Sequence, residues 1–505
     1  MKTYPFSYFC IRRFFIFPFR TQPLINCNCT YFFYLQTLAT TMALSIVKTC
    51  RVLYNLKPQT SLICSVRNNS SDLLYRLLRR GLVKQIFPND QKIDCTGTPC
   101  AYAGFDATAD SLHVGNLLVL ISLMHWQRAG YDTIAVIGDA TAKIGDPSGH
   151  KSDRKVLSHD VVDENANAIE KNLYHIFQNH ETYICPKAKT KSKALGKLRI
   201  LKNSEWYKKT NIIDFICEAG RHIRVGDMLS RTSVRSRMES GVGINFTEFS
   251  YQAFQAYDWL HLLKTYNCRF QFGGGDQLGN VTTGYNLISG SLYQHVYGAL
   301  LPLVESETGD KFGKSAGNAI YLSSNRTSPF DLYQFFMRLP DADVSNYLRL
   351  FTFLSIEEIE DILHKHLKNP DSRRAQKKIA EEVTLLIHGE QGLDLAETAT
   401  KILYQSDIVS LAKLRKEDVN HVFPLSTTSN IMFEPGLSLL DLTMKVGCFI
   451  KKDDAGRIIR GGGVYLNFER ITTPEFIIIP EQHILPNGIS LIRIGKKTYY
   501  LVLWK

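Results

Sequence analysis

An apolar strand, an amphipathic helix and a second apolar strand follow one another closely between residues 102 and 138, and this unit restricts the fold more than any other feature. Tyr102 to Phe105 reads as a short strand. Leu112 to Gln127 reads as a helix, with Leu117, Leu120, Ile121 and Met124 on one face. Thr133-Ile-Ala-Val-Ile-Gly138 reads as a buried strand that ends in glycine. Two strands joined through a helix form a βαβ unit, which implies a parallel sheet and an α/β fold. Gly145-Asp-Pro-Ser-Gly149 is a turn cluster at a strand end, where open α/β sheets bind ligands. Cys268 to Phe272 gives another strand, which leads into Gly273-Gly-Gly-Asp-Gln-Leu-Gly-Asn280 and a helix that includes Tyr285 to Ile288.

With 505 residues the chain is too long for one core, so two to four domains are expected. Four segments can be separated: a leader over 1–71, an α/β part over 72–327, a helical part over 328–430 and a small α+β module over 431–505. Ser71 or Asp72 caps a first helix that Gly81 ends. Ser328 can cap and Pro329 suits the first helical position, which marks the second boundary. Beyond it, Ser355-Ile-Glu-Glu358 is a capping box, and the apolar pattern from Ile379 to Ile387 ends at Gly389. In the last segment Leu437 to Val446 is a short amphipathic helix, while Val464 to Asn467 and Ser490 to Trp504 alternate like strands. The lysine-rich stretch 186–199 reads as a solvated insertion loop.

Net charge is +12, which favours an anionic partner, nucleic acid before membrane. The charge is uneven. The first 71 residues carry eight of the twelve excess charges and no acid. An acid-free leader with arginine and serine reads as an organelle-targeting peptide, with a secretory signal as the alternative because Phe14 to Phe19 is aromatic. Met42-Ala-Leu-Ser-Ile-Val-Lys-Thr-Cys-Arg51 has the look of a transit-peptide start, which suggests an upstream extension. No stretch offers 18 uninterrupted apolar residues, so no membrane insertion is expected. The eleven cysteines form no C-x-x-C pair outside the leader, so no structural zinc site is indicated; Cys95 and Cys100 read as buried apolar residues.

Two motifs carry chemistry. His113-Val-Gly-Asn116 stands at a helix start, where backbone N–H groups are unpaired and suit phosphate oxygens. Lys311-Phe-Gly-Lys-Ser315 puts two compact positive charges on a loop that Gly313 lets move. Together they suggest a site that holds ATP phosphates without a P-loop. Attack of a carboxylate on a nucleotide α-phosphate needs alignment and charge stabilisation rather than an enzyme nucleophile. Each motif also has a plain reading, a capped helix for one and a basic turn for the other. Tyr251, Gln255 and Asp258 at i, i+4 and i+7 share one helix face, which fits either a pocket wall or a buried face.

Tyr102-Ala-Gly-Phe-Asp106 with His113-Val-Gly-Asn116, and Lys311-Phe-Gly-Lys-Ser315, resemble the two signatures of class I aminoacyl-tRNA synthetases. Ser250-Tyr-Gln-Ala-Phe-Gln-Ala-Tyr-Asp258 and Gly273 to Asn280 make the likeness closer to the bacterial-type tyrosyl enzymes of mitochondria, over about residues 72–505. The resemblance implies a Rossmann-like catalytic domain, a helical anticodon-binding domain and an S4-like RNA-binding domain. It implies catalytic roles for His113, Asn116, Lys311, Lys314 and Ser315. It implies a tyrosine pocket in which Tyr102 and Asp258 meet the phenolic hydroxyl, Asp146, Tyr251 and Gln255 hold the α-amino group, and Gln271 and Gln277 line the carboxylate side. On the ATP side it implies Asp106, His113, Gly115, Asp276, Lys314 and, by backbone contact under adenine, Val304. Two positions depart from the family pattern: Asn116 stands where a second histidine is usual, and Phe312-Gly313 replaces the commoner Met-Ser. An asparagine amide still donates, so activity is expected to survive with weaker charge stabilisation. Lys445, Lys451, Lys452, Arg457, Arg460 and Arg470 would track phosphates in the S4-like part. The implied partners are ATP, with Mg2+ accompanying it, tyrosine and tRNA(Tyr), in a homodimer in the mitochondrial matrix. No dedicated metal cage is seen. A tryptophanyl enzyme of the same fold and a non-catalytic structured-RNA-binding factor stand as the rival readings.

Overall fold

The computed structural model describes residues 69–505, apart from 90–92, 94–98, 149–155, 188–193, 240, 242, 304–313, 316–317, 416–417, 419–427 and 496–497. The leader, Cys95, Val304 and Lys311 therefore lie outside the described residues. Helix α1 (Asn69–Arg80) ends where Gly81 takes a φ of +83°. A six-stranded sheet follows, built from β1 (Gln85–Phe87), β2 (Cys100–Asp106), β3 (Thr133–Gly138), β4 (Leu198–Lys202), β5 (Cys268–Gly274) and β6 (Tyr297–Leu301), in the order β1-β6-β5-β2-β3-β4. All neighbours pair in parallel except β1, which caps the β6 edge antiparallel. The expected βαβ unit is β2, α2 (Val114–Arg128) and β3.

Successive side chains of a strand face opposite ways, so the sheet has two cores. Ala101, Ala103 and Phe105 of β2 join Leu117, Leu120, Ile121 and Met124 of α2 in one cluster. Cys100 and Tyr102 join Trp259, Leu260 and Leu263 of α4 and Leu287 and Ile288 of α5 in the other. Here α3 is His159–Asn179, α4 is Phe246–Tyr266 and α5 is Leu278–Leu292. The chain leaves β2 for β3 and β4 on one side and returns to β5 and β6 on the other. Strand order thus reverses between β2 and β5, and a crevice opens outside their carboxyl ends.

After a two-stranded hairpin, β7 (Lys314–Ser315) and β8 (Asn318–Ala319), come α6 (Pro329–Met337), α7 (Val344–Phe351), α8 (Ile356–Lys368) and α9 (Arg374–Gln405). Ser328 caps α6 with Pro329 at its first position, and Ser355 and Glu358 form the expected capping box. Leu332, Phe336, Leu348, Phe351 and Val383 belong to the same core cluster as α2, so packing is continuous across residue 328. The final part is a five-stranded sheet in the order β11-β10-β12-β13-β9, with β9 Thr428–Ile431, β10 Val464–Leu466, β11 Glu469–Ile471, β12 Ile489–Ile494 and β13 Thr498–Trp504. Helices α10 (Leu439–Val446) and α11 (Lys452–Arg460) cover one face through Leu442, Ile459, Ile492 and Val502. The other face packs Leu491 and Leu501 against Ala399 and Ile402 of α9.

The structure refines several of these expectations. The stretch 186–199 is not wholly loop, because Leu198 opens edge strand β4, where Arg199 pairs with Asp132 at 2.7 Å. Gly389 ends the first of two helices that α9 joins end to end, as the apolar pattern predicts. It takes φ +69° and ψ −171°, and α9 resumes beyond it, with the Asn179 amide donating to Leu386 O at 3.1 Å beside the break. Ser490 to Trp504, which alternates like strands, forms the antiparallel pair β12 and β13. The 145–149 cluster is separated from β3 by a 3-10 turn over Thr141–Lys143.

Candidate active site

The crevice at the strand-order reversal is a cleft of about 520 Å³, within the size range of small-molecule sites. Its floor is glycine-rich for a geometric reason. A side chain at Gly104 would stand in open space, so its absence leaves room for a ligand. A Cβ at Gly138 would collide with Asp106 Oδ1 and Thr141 Oγ1, so only glycine lets those two groups meet.

The cleft collects residues from distant parts of the chain. Tyr102 and Asp106 come from β2, Asp146 from the turn after β3, Tyr251, Gln255 and Asp258 from α4, Gln271 from β5, and Asp276 and Gln277 from the turn that follows it. Tyr251 and Asp258 are buried, whereas Asp276 is exposed. The i, i+4, i+7 face of α4 is therefore a pocket wall.

Hydrogen bonds arrange these groups into two sets. At the inner end, Asp258 Oδ1 accepts from Trp206 Nε1 at 2.8 Å and from the Tyr207 hydroxyl at 2.7 Å, and Asp258 Oδ2 accepts from Asn203 Nδ2 at 3.2 Å. Burial pushes the Asp258 carboxyl up to about 7 against the pull of those three donors. The Tyr102 hydroxyl is buried beside it and has no hydrogen-bond partner among the described residues. Burial first, and then the Asp258 charge, raise the Tyr102 phenol well above its ordinary range. At the outer end, Asp106 accepts from Thr141 Oγ1 at 2.7 Å and from the Tyr251 hydroxyl at 2.8 Å. Gln277 donates to Asp146 Oδ2 at 2.9 Å, and Asn280 donates to both Gln255 and Gln277 at 3.0 Å. Asn203 joins the sets, since its Nδ2 also reaches Thr141 Oγ1 at 3.0 Å and its Oδ1 accepts from Ala140 N–H at 2.8 Å.

His113 is the N-cap of α2, and with Gly115 and Asn116 it lines the cleft mouth. Asn116 does more than replace a donor. Its Oδ1 accepts from the His113 backbone N–H at 3.1 Å, which closes the first turn of the helix. The segment that follows the second motif is tied to the first motif through the backbone. Val114 N–H donates to Ile320 O at 2.9 Å, Leu322 N–H donates to Leu112 O at 2.8 Å, and His113 bridges Tyr321 antiparallel. Lys314 and Ser315 enter this arrangement as backbone, pairing with Ala319 and Asn318 across the hairpin.

Sequence reasoning misses Thr141, Asn203, Trp206 and Tyr207. The first lies just past β3. The other three follow edge strand β4, in a stretch whose composition marks nothing; only their position after a strand end points to the crevice. Among the described residues, no group of three metal-ligating side chains is present.

A sequence profile described as "tRNA synthetases class I (W and Y)" matches residues 96–405, which contain every residue of the cleft. The chain belongs to the class I tRNA synthetases of this W and Y family. Among curated relatives, the mitochondrial tyrosine–tRNA ligase of Drosophila melanogaster is 49% identical over 457 residues, covering 89% of this chain and 98% of that one. The mitochondrial tyrosine–tRNA ligase of Homo sapiens is 43% identical over 447 residues, covering 86% and 93%. Among solved structures, a C-terminally truncated mitochondrial tyrosyl-tRNA synthetase of Aspergillus nidulans matches with a TM-score of 0.60 at 31% identity, covering 66% of this synthetase and 94% of that chain. The parallel α/β sheet expected from the βαβ unit, and the Rossmann-like architecture implied by the resemblance, are thus the synthetase fold.

Proposed function

We propose that the chain is a tyrosine–tRNA ligase of mitochondrial translation. The observation that carries the amino-acid choice is the pair at the inner end of the cleft. The Tyr102 hydroxyl is buried and unpartnered among the described residues, and Asp258 is a buried acceptor. A phenol hydroxyl both accepts and donates, so it pairs with Tyr102 and Asp258 together. An indole N–H only donates and would leave the Tyr102 proton unpaired. Phenylalanine would leave the Tyr102 hydroxyl unpaired and give Asp258 no further donor, and tyrosyl-tRNA synthetases are the known example of strong rejection on such grounds.

Tyr102 and Asp258 hold the phenol, and Tyr251, Gln255 and Asp146 face the α-amino group. Gln271 and Gln277 lie toward the carboxylate, whose oxygen attacks the α-phosphate of ATP. A P–O bond forms to the carboxylate, the bond to pyrophosphate breaks, and no enzyme group becomes covalently attached. Charge grows on the phosphoryl oxygens, where His113 and Asn116 at the helix start and Lys311, Lys314 and Ser315 of the second motif stabilise it. Asp106, Gly115, Asp276 and Val304 are assigned to the nucleotide side. Mg2+ arrives with the ATP phosphates. The adenylate then passes its tyrosyl group to the terminal ribose of tRNA(Tyr).

The segment boundaries at 71, 327 and 430 are retained as domains in this reading, with the helical part contacting the anticodon. In the S4-like part Lys445, Lys452 and Arg457 pair with Glu434, Asp441 and Asp454, while Lys451 and Arg460 are exposed. Exposed ion pairs are weak and exchange readily for phosphates. The leader directs the chain to the mitochondrial matrix.

The homodimer is supported by large apolar side chains left exposed between residues 211 and 246. Ile212, Ile213 and Val225 are 63%, 65% and 61% exposed, and Phe246 is 79% exposed at the start of α4. A second copy is the occupant, since the same patch on two copies is self-complementary. Phe246→Asp is expected to turn the dimer into a monomer by sedimentation; an unchanged dimer would place the interface elsewhere.

ATP–pyrophosphate exchange tests the activity. Exchange is expected with tyrosine and not with phenylalanine or tryptophan. Exchange driven by tryptophan would favour the tryptophanyl reading, and tRNA binding with no exchange would favour a non-catalytic RNA-binding role.

A further inference from the structure

We infer that Tyr207 is a positioning residue for tyrosine recognition: its hydroxyl orients the Asp258 carboxylate and favours its charged form, with Oδ1 occupied and Oδ2 turned to the substrate phenol. The inference rests on the assignment of Asp258 to the phenol.

The geometry is specific. The Tyr207 hydroxyl lies 2.7 Å from Asp258 Oδ1 and 2.8 Å from the Phe254 carbonyl oxygen, one helical turn earlier on α4. A phenol has one proton to give. When Asp258 is ionised, that proton goes to the carboxylate in a charge-assisted bond. When Asp258 is protonated, the hydroxyl can accept from it and donate to Phe254 O instead. Both states are served, but the bond to the charge is about twice as strong, so the net pull is toward ionisation. Trp206 Nε1 shares Oδ1 with Tyr207, which leaves Oδ2 with Asn203 at the longer distance of 3.2 Å. The oxygen with spare acceptor capacity is thus Oδ2.

The other ionisable groups near the carboxylate do not replace this pull. From β2, Asp106 pushes Asp258 toward its neutral form. Tyr102 of β2 and Tyr251 of α4 itself are phenols that its charge drives further up. Among these groups none brings a positive charge, so hydrogen bonds carry the ionised form. The Tyr207 bond is the largest of the downward influences on a carboxyl that burial holds near 7.

The ring of Tyr207 packs edge-on against Phe215 and Phe254, with centroids 6.4 and 5.4 Å away. Tyr207→Phe keeps these contacts and removes one oxygen. The test is the KM for tyrosine in ATP–pyrophosphate exchange from pH 6 to pH 9, for wild type and Tyr207→Phe. Removing the donor is expected to raise the Asp258 midpoint by about one pH unit. The variant-to-wild-type KM ratio should then be about tenfold at pH 6 and fall toward one at pH 9. A purely structural role gives a ratio that does not change with pH, and that result overturns the inference. If the phenylalanine variant fails to fold, 3-fluorotyrosine installed at position 207 serves instead. A more acidic phenol is a stronger donor, so the midpoint should move down; an unmoved or raised midpoint overturns the inference. Wild-type exchange that does not depend on tyrosine would overturn the functional assignment, a separate outcome.

Discussion

Asp258→Asn is expected to lower kcat/KM for tyrosine by about a thousandfold while leaving the fold at least as stable as wild type. The two halves of this result have one origin. Both carboxylate oxygens face donors: Trp206 and Tyr207 at Oδ1, and Asn203 at Oδ2. An amide has one oxygen, so its NH2 must meet a donor. The least costly orientation sets the NH2 at the Oδ2 side, against Asn203 and the incoming phenol. Asn203 cannot turn its amide to compensate, because its Oδ1 already accepts from Ala140 N–H. The substrate then loses a bond to a charged acceptor and leaves a buried donor unmatched, together about 4 kcal/mol. Stability moves the other way. Asp258 has a folded-state pKa of about 7 against an ordinary 3.8. Between those values the folded chain binds the proton more tightly than the unfolded chain. Wild-type stability therefore falls as pH rises from about 4 to 7 and levels off above 7. The asparagine variant has no such slope. Thermal melts of both proteins from pH 5 to pH 8, read beside the exchange kinetics, check the pair of effects. A variant that keeps wild-type kcat/KM would remove Asp258 from the phenol site.

Legibility in the sequence follows the range of the interactions. The βαβ unit is readable because local periodicity and a glycine stop record it within forty or so residues, a typical span for such a unit. The α4 face is readable because Tyr251, Gln255 and Asp258 share a helical repeat, although only the fold decides whether that face meets a core or a cleft. The caps at Ser328 and Ser355 are readable because a cap is satisfied within its own first turn. What stays hidden is long-range. Asn203, Trp206 and Tyr207 become part of the site only because β4 sits beside β3 and delivers the following turn to α4, and neighbouring lysines disguise that strand. The strand-like pairing of residues 320–322 with 112–114 is carried entirely by backbone groups, which leave no residue signature. Asn116 reads as a donor replacing a histidine, and its capping bond to His113 N–H is visible only with the helix start in place.

Gly138→Ala is the second change with a large expected effect, and it acts by crowding Asp106, which is assigned to the nucleotide side, and Thr141. Glycine here is not required by backbone angle, since Gly138 is absent from the positive-φ positions of the described residues. It is required by space. The added methyl would occupy the volume in which Thr141 Oγ1 donates to Asp106 Oδ1 at 2.7 Å. One of those side chains must leave. If Asp106 turns away, the Tyr251 hydroxyl loses its 2.8 Å acceptor; if Thr141 turns away, Asn203 loses a partner and its hold on Asp258 loosens. Either route disturbs the groups assigned to the amino and phenol ends of the substrate. The expected result is a loss of about a hundredfold or more in kcat/KM for tyrosine, as for displaced positioning groups. The stability cost should be about 1–3 kcal/mol, as for an overpacked interior. Gly104→Ala is the control for stability, because its methyl meets nothing within 4 Å. It should melt like wild type while raising KM, since it fills cleft rather than network. The two alanines are compared by thermal melting and exchange kinetics. Equal stability losses at both positions, or near-normal kcat/KM in Gly138→Ala, would show that the Asp106–Thr141 bond does not organise the site.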